Sequence, residues 1–146
     1  MRVYLACTVR GDRAGVPAAR LVAARLAAFG HDVLTSHLLA DDVDAAEASQ
    51  DERAVFERDL KWLDDCDVLI AEASGSTYGV GFEVGYLTGR SGQTGRRVYV
   101  LYDAGRKGAV SRMVSGYATA FGEAFGYRSL DELDAFIGER FGPRAR

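Results

Sequence analysis

Apolar runs of strand length recur along the chain, each followed by a stretch with helical spacing or a polar turn. Arg2 to Cys7 reads as a buried strand, and Ala18 to Phe29 as an amphipathic helix stopped by Gly30. Asp32 to Ser36 forms a second short strand, and the acidic, alanine-rich residues 38–48 read as a surface loop with some helix. Ser49 to Asp65 is a helix and Asp67 to Glu72 the third strand. Val80 to Arg90 follows as a helix, closed by a loop at residues 91–95. Val98 to Tyr102 is a fourth strand, Ala109 to Tyr117 a short helix, and Phe121 to Tyr127 a fifth strand weakened by Gly122 and Gly126. Ser129, with Glu132 at the capping-box position, opens a final helix running to about Phe141. Strands separated by helices imply an α/β domain, a five-stranded parallel sheet covered on both faces. Such sheets bind ligands beyond the carboxyl ends of their strands, where the strand order reverses. Cys7-Thr8 and Ala73-Ser74, at the ends of strands one and three, are expected to face one crevice. Without an internal repeat or linker, residues 1–146 read as a single domain.

Composition narrows the partners. A chain of 146 residues, 48% hydrophobic and 27% charged, can bury a proper core. Its net charge of -3 gives no bulk attraction to nucleic acid or an anionic membrane, so neither is expected as a partner. Any phosphate must be caught locally. Cys7 and Cys66 lack CxxC spacing and make no metal motif with His31 and His37. Two cysteines beside strand-like runs read as buried thiols of a cytosolic protein. The amino-terminal apolar run is too short for a signal peptide and no run reaches membrane-spanning length, so a cytoplasmic location is expected.

The most informative stretch is residues 67–85, a strand running into the polar loop Ser74-Gly75-Ser76-Thr77, then Gly79-Val80-Gly81 and a helix carrying Glu83. A strand-loop-helix junction offers free backbone N–H groups and the positive end of a helix dipole to an anion. The turn after strand one, Thr8-Val9-Arg10-Gly11-Asp12-Arg13, offers a hydroxyl, guanidiniums and a glycine, which suit a phosphate. The competing reading is a solvated loop whose arginines pair with Asp12. Gly79 and Gly81 do not complete a dinucleotide fingerprint, because Val84 holds the third glycine position. They serve either ligand approach or helix–sheet packing. Glu83 is either a helix-dipole partner or a carboxylate poised to attack an electrophilic carbon. Asp59 shares a helical stripe with Val55 and Trp62. It is either a surface acid paired with an arginine or, if burial raises its pKa, a proton donor. Two carboxylates of unlike environment are the usual equipment for cleaving a glycosidic bond by double displacement.

These pieces, in this order, resemble the 2′-deoxynucleoside 5′-phosphate N-hydrolases, grouped with the nucleoside 2-deoxyribosyltransferases. The resemblance rests on YLACTVRGDR at 4–13, LTSH at 34–37, RDLKWLDDCDVLIAE at 58–72, TYGVGFEVG at 77–85 and VSRMVSG at 110–116. It implies a flavodoxin/Rossmann-like sheet and cleavage of a nucleoside 5′-monophosphate without a metal or redox cofactor. Glu83 then matches the family's nucleophile, which forms a covalent glycosyl intermediate at C1′. Asp59 matches the assisting aspartate and Tyr4 a tyrosine near the sugar and Glu83. Thr8, Val9, Arg10, Gly11 and Arg13, with Thr77 and Gly79, match segments that bind the 5′-phosphate. His37 matches a histidine near the ligand. Ser111 matches a serine that reaches the phosphate from a partner subunit, which implies a homodimer.

One departure stands out. Family members show Gly-Ser-Ile-Arg-Gly-Gly where this chain reads Cys7-Thr8-Val9-Arg10-Gly11-Asp12. Asp12 is expected to point to solvent or pair with Arg13; facing the phosphate, it would weaken binding. Three alternatives fit the same residues: a CMP-type ribonucleotide N-glycosidase of a nucleoside biosynthetic pathway, a base-exchanging transferase, and a non-catalytic nucleotide-binding module. The arginine-bearing turn argues against the transferase, and a module needs neither Asp59 nor Glu83.

Overall fold

The structure, a computed structural model, describes residues 1–75 and 77–143, and only the backbone of residues 117–121. Ser76 of the polar loop lies outside the described residues. Five strands, β1 (Arg2–Ala6), β2 (Asp32–Val33), β3 (Val68–Glu72), β4 (Arg97–Asp103) and β5 (Glu123–Tyr127), form one sheet in the order β2-β1-β3-β4-β5. All four pairings are parallel. The expected α/β class is therefore what the chain adopts, and the order reverses between β1 and β3, as in flavodoxin-like sheets.

Period-two alternation sorts side chains to the two faces. Val3, Leu5, Val68, Ile70, Tyr99 and Leu101 pack against α1 (Val16–Ala28) and α6 (Leu130–Phe141). Tyr4, Ala6, Leu69, Ala71, Val98 and Val100 face Leu63 of α3 (Glu52–Asp65) and Val80, Val84 and Leu87 of α4 (Tyr78–Thr94). This parity puts Tyr4, the fully buried residue of β1 that carries a hydroxyl, in the layer that also holds Asp59 and Glu83. Cys7 and Cys66 are buried free thiols, as read from the sequence.

Several boundaries differ from expectation. The second strand stops at Val33 because Thr35 replaces the next ladder bonds with its side chain. Its hydroxyl accepts from the Leu5 N–H at 3.0 Å and donates to the Leu5 carbonyl at 2.7 Å. A 3-10 turn, Ser36–Leu39, and the short helix α2 (Val43–Ala48) follow. Residues 91–94 are not a loop. Ser91 and Thr94 bond back to the carbonyls of Thr88 and Arg90, so α4 continues to Gly95, which ends it at φ +67°. The third helix begins at Glu52 rather than Ser49, because Asp51 caps the Ala54 N–H. A 3-10 turn occupies Ala104–Ala109, which moves the next helix, α5, to Arg112–Phe121. At the last helix Ser129 caps the Glu132 N–H, while Glu132 reaches back to the N–H of Arg128, one residue before the cap. Among the described residues, no helix is long and apolar enough to cross a membrane.

Candidate active site

Beyond the carboxyl ends of β1 and β3 lies a cleft of about 790 Å³. Glu83 and Asp59 both line it, with Val9, Gly11, Thr77 and Gly79. Glu83 stands in the second turn of α4, flanked at i−3 and i+4 by buried Val80 and Leu87, and this stripe turns it toward the sheet. There the fully buried Tyr4 donates its hydroxyl hydrogen to Glu83 Oε1 at 2.7 Å. Burial pushes the Glu83 carboxyl up to about 8. The Tyr4 bond opposes that rise, while the charges of Asp59 and Glu47 add to it. Burial and the facing Glu83 hold the Tyr4 phenol protonated far above its ordinary range.

Of the two readings of Asp59, the fold matches the arginine-paired acid, and the carboxyl raised by burial is that of Glu83. Asp59 is fixed by Arg58, whose Nε donates to Asp59 Oδ1 at 2.8 Å, with side chains 23% and 24% exposed. The same guanidinium donates through Nη2 to Glu47 at 2.8 Å and lies 5.0 Å from the centre of the Trp62 ring. His37 packs beside this array, 5.3 Å from the Trp62 ring and 3.8 Å from Glu47. Burial and Arg58 lower its pKa. It stands behind the wall and not on it.

Donors dominate the opposite end of the cleft. The first N–H groups of α4, those of Tyr78, Gly79 and Val80, have no intrahelical acceptor, and among the described residues no side chain caps them. A Cβ at Gly79 would meet nothing within 4 Å, so this glycine keeps the approach open and is not needed for packing. Gly75 does the reverse: a Cβ there would lie 2.2 Å from the Asp12 carbonyl and 2.4 Å from Thr8 Oγ1. It lets the β3–α4 loop close onto the β1–α1 turn. Thr8 itself is buried, and its hydroxyl has no hydrogen-bond partner among the described residues.

The arginines of that turn go elsewhere than expected. Arg10 lines the cleft but pairs with Asp44 at 2.5 Å on its exposed lip. Arg13 does not face the cleft or Asp12; it donates to the carbonyls of Thr8, Val9 and Ala40 at 3.2, 3.0 and 2.9 Å. Asp12 pairs instead with Arg106. Ser111 lines a neighbouring hollow of about 470 Å³ that shares Thr77, Tyr78 and Val80 with the cleft.

Sequence reasoning missed Arg58, Glu47 and Glu72. Arg58 left a signal, since it adjoins Asp59 and stands i, i+4 to Trp62. Glu72, at the end of β3, is buried and accepts from the Ser74 hydroxyl at 2.5 Å and the Tyr127 hydroxyl at 2.9 Å. Burial raises its pKa. It anchors the start of the β3–α4 loop, and only glycine fits at position 15, where a Cβ would lie 1.6 Å from its carboxylate.

The model of the nucleoside 2-deoxyribosyltransferase family matches residues 3–129. The chain belongs to that family. A Thermofilum pendens protein provisionally named 2′-deoxynucleoside 5′-phosphate N-hydrolase 1 is 39% identical over 132 residues, covering 90% of this chain and 89% of its own. The 5-hydroxymethyl-dUMP N-hydrolase of Danio rerio is 30% identical over 117 residues, covering 80% of this chain and 78% of its own. Among solved structures, the CMP N-glycosidase of Clostridium botulinum superposes with a TM-score of 0.65 at 15% identity, over 95% of this chain and 97% of its own. At that identity the likeness speaks for the family's fold alone.

Proposed function

We propose that this protein hydrolyses the N-glycosidic bond of (deoxy)nucleoside 5′-monophosphates, releasing free base and sugar 5-phosphate through a covalent glycosyl-Glu83 intermediate. The observation that carries this reading is the Tyr4–Glu83 hydrogen bond, set in a cleft whose other end is the open amino terminus of α4. The names of the family relatives support the same substrate class.

The reaction runs in two displacements. Tyr4 engages one carboxylate oxygen of Glu83 and leaves the other to attack C1′. As that C–O bond forms, the C1′–N bond breaks, and its electron pair leaves with the base, which takes up a proton. Water then attacks C1′, returns the carboxylate and gives up a proton to solvent. Asp59, fixed by Arg58 beside Glu83, steers the sugar and the departing base. The N–H groups at Gly79 and Val80, with Thr77, Thr8 and the turn at Val9 to Gly11, hold the 5′-phosphate.

The same reading includes a homodimer with Ser111 contributed across the interface. Its support is the apolar surface around the Ser111 hollow, where Tyr78, Phe82 and Met113 are 101%, 53% and 86% exposed.

Incubation with dAMP, dGMP, dCMP, dTMP, hydroxymethylated analogues and CMP, followed by chromatography of free base, tests the activity. Base release is expected from at least one of them and is lost in Glu83→Ala. Release that survives Glu83→Ala overturns the assignment. Intact-mass detection of a sugar phosphate ester on Glu83, trapped with a 2′-fluoro analogue, tests the intermediate.

A further inference from the structure

Arg10 and Arg13 are the obvious cations for a phosphate turn, yet the fold commits both to other partners. Asp12 lines the cleft together with Gly11, Gly75 and Gly79, and so brings a carboxylate to the region of the phosphate turn. A bare carboxylate next to a phosphate dianion opposes binding at any dielectric the site can have. Asp12 is not bare. Its Oδ1 accepts from the Ala14 N–H at 3.0 Å, which fixes its direction, and its Oδ2 contacts Nη2 of Arg106. Arg106 comes from the 3-10 turn after β4, and its Nε reaches the Ser74 carbonyl at 3.4 Å. One guanidinium thus touches both loops that bound the donor-rich end. Asp12 lines the cleft and Arg106 stands just outside its lining; their side chains are 46% and 35% exposed, which leaves the guanidinium within reach of an incoming anion. The family pattern has glycine at position 12; here an acid on the cleft wall is met by a cation 94 residues away in sequence.

We infer that Arg106 is the cation of the phosphate subsite. It cancels the Asp12 charge in the free protein and turns part of its guanidinium to the 5′-phosphate of the substrate. A guanidinium presents five N–H donors in a planar fork, enough to keep a carboxylate on one edge and take a phosphate oxygen on another. This rests on the monophosphate reading above and adds to it a residue outside the turn that the resemblance marks.

The test measures kcat and KM for a deoxynucleoside 5′-monophosphate and for the matching nucleoside. The proteins compared are wild type, Arg106→Ala, Arg106→Lys, Asp12→Asn and the Asp12→Asn/Arg106→Ala double variant, with melting temperature recorded for each. Losing one charge-assisted bond and exposing Asp12 raises the monophosphate KM of Arg106→Ala by about tenfold or more, with kcat within about threefold. Nucleoside cleavage stays level, and Arg106→Lys keeps most of the wild-type KM. Asp12→Asn preserves the acceptor for Ala14, lowers the monophosphate KM, and in the double variant restores only the part of the loss that comes from the exposed Asp12 charge, leaving the part due to the missing phosphate contact. A parallel rise for nucleoside and monophosphate, or a double variant no better than Arg106→Ala, overturns the inference while leaving the hydrolase reading intact. A wild-type protein that neither cleaves nor calorimetrically binds any monophosphate overturns both.

Discussion

Replacing Glu83 with glutamine removes the proposed nucleophile but should make the protein more stable, by an amount that depends on pH. The carboxyl titrates at 4.5 when unperturbed and is pushed up to about 8 in the fold. Below 4.5 folded and unfolded chains both hold the proton, and the group contributes no pH dependence. Between those values the folded protein retains a proton that the unfolded chain has released, so stability falls as pH rises, by at most about 1.4 kcal/mol per unit. Above about 8 both forms are ionised and the loss is complete. The full shift corresponds to a ceiling of about 5 kcal/mol, and relaxation and water entry around the ionised carboxylate bring the working figure to roughly 2–3 kcal/mol. For a domain of this size that is about 6–9 °C in melting temperature. Glutamine keeps an acceptor for Tyr4 and cannot ionise, so it escapes the penalty. Thermal unfolding of both proteins from pH 4.5 to 9.5 should show Glu83→Gln gaining on wild type through this window and levelling off above it. Groups common to both proteins cancel in the difference. A difference that stays flat from pH 5 to 9, whatever its sign, refutes the desolvated carboxylate and the chemistry built on it.

Other expectations concern the same cleft. The kcat/KM of the wild type should rise with pH on an acidic limb near 8, because the attacking form is the carboxylate; a limb near 4.5 contradicts this. Tyr4→Phe removes the bond that lowers the Glu83 pKa, so its limb should move to higher pH, with kcat down about 10- to 100-fold. Gly75→Ala must displace the Asp12 carbonyl or Thr8, so it should cost about 1–3 kcal/mol in denaturant unfolding. Gly79→Ala has room for its methyl group and should fold normally while raising the monophosphate KM; equal stability losses at both glycines contradict this contrast. Phe82→Glu should yield monomers in light scattering and lose activity as Ser111 is withdrawn; an active monomer removes the proposed cross-subunit serine.

Much of this architecture was legible in the sequence because strands covered on both faces read as unbroken apolar runs. RVYLA and VLIAE announce themselves, and from their order comes the crevice that holds Glu83. What failed was local chemistry decided by distant partners. Thr35 ends β2 by bonding to Leu5, a contact across 30 residues that no window around position 35 contains. Ser91 and Thr94 look like loop residues by composition, but bonded back to their own helix they extend it. The acids of the site were legible as types and not as environments. Asp59 and Glu83 both stand on amphipathic helices, and only the packed structure shows that Arg58 compensates one while Tyr4 and burial govern the other. Arg13 was misassigned for a related reason: spacing reports that a cation is near a turn, whereas its commitment to three carbonyls depends on how the turn folds.

Trp62 is the sole tryptophan of the chain. Its indole lies against Arg58 and His37, one residue removed from the acids of the cleft. The protein therefore carries a built-in optical reporter. Any ligand that reorients Arg58 alters the charge over this ring, so titrating unlabelled nucleotides while following intrinsic emission reads occupancy directly, even for variants that no longer turn over.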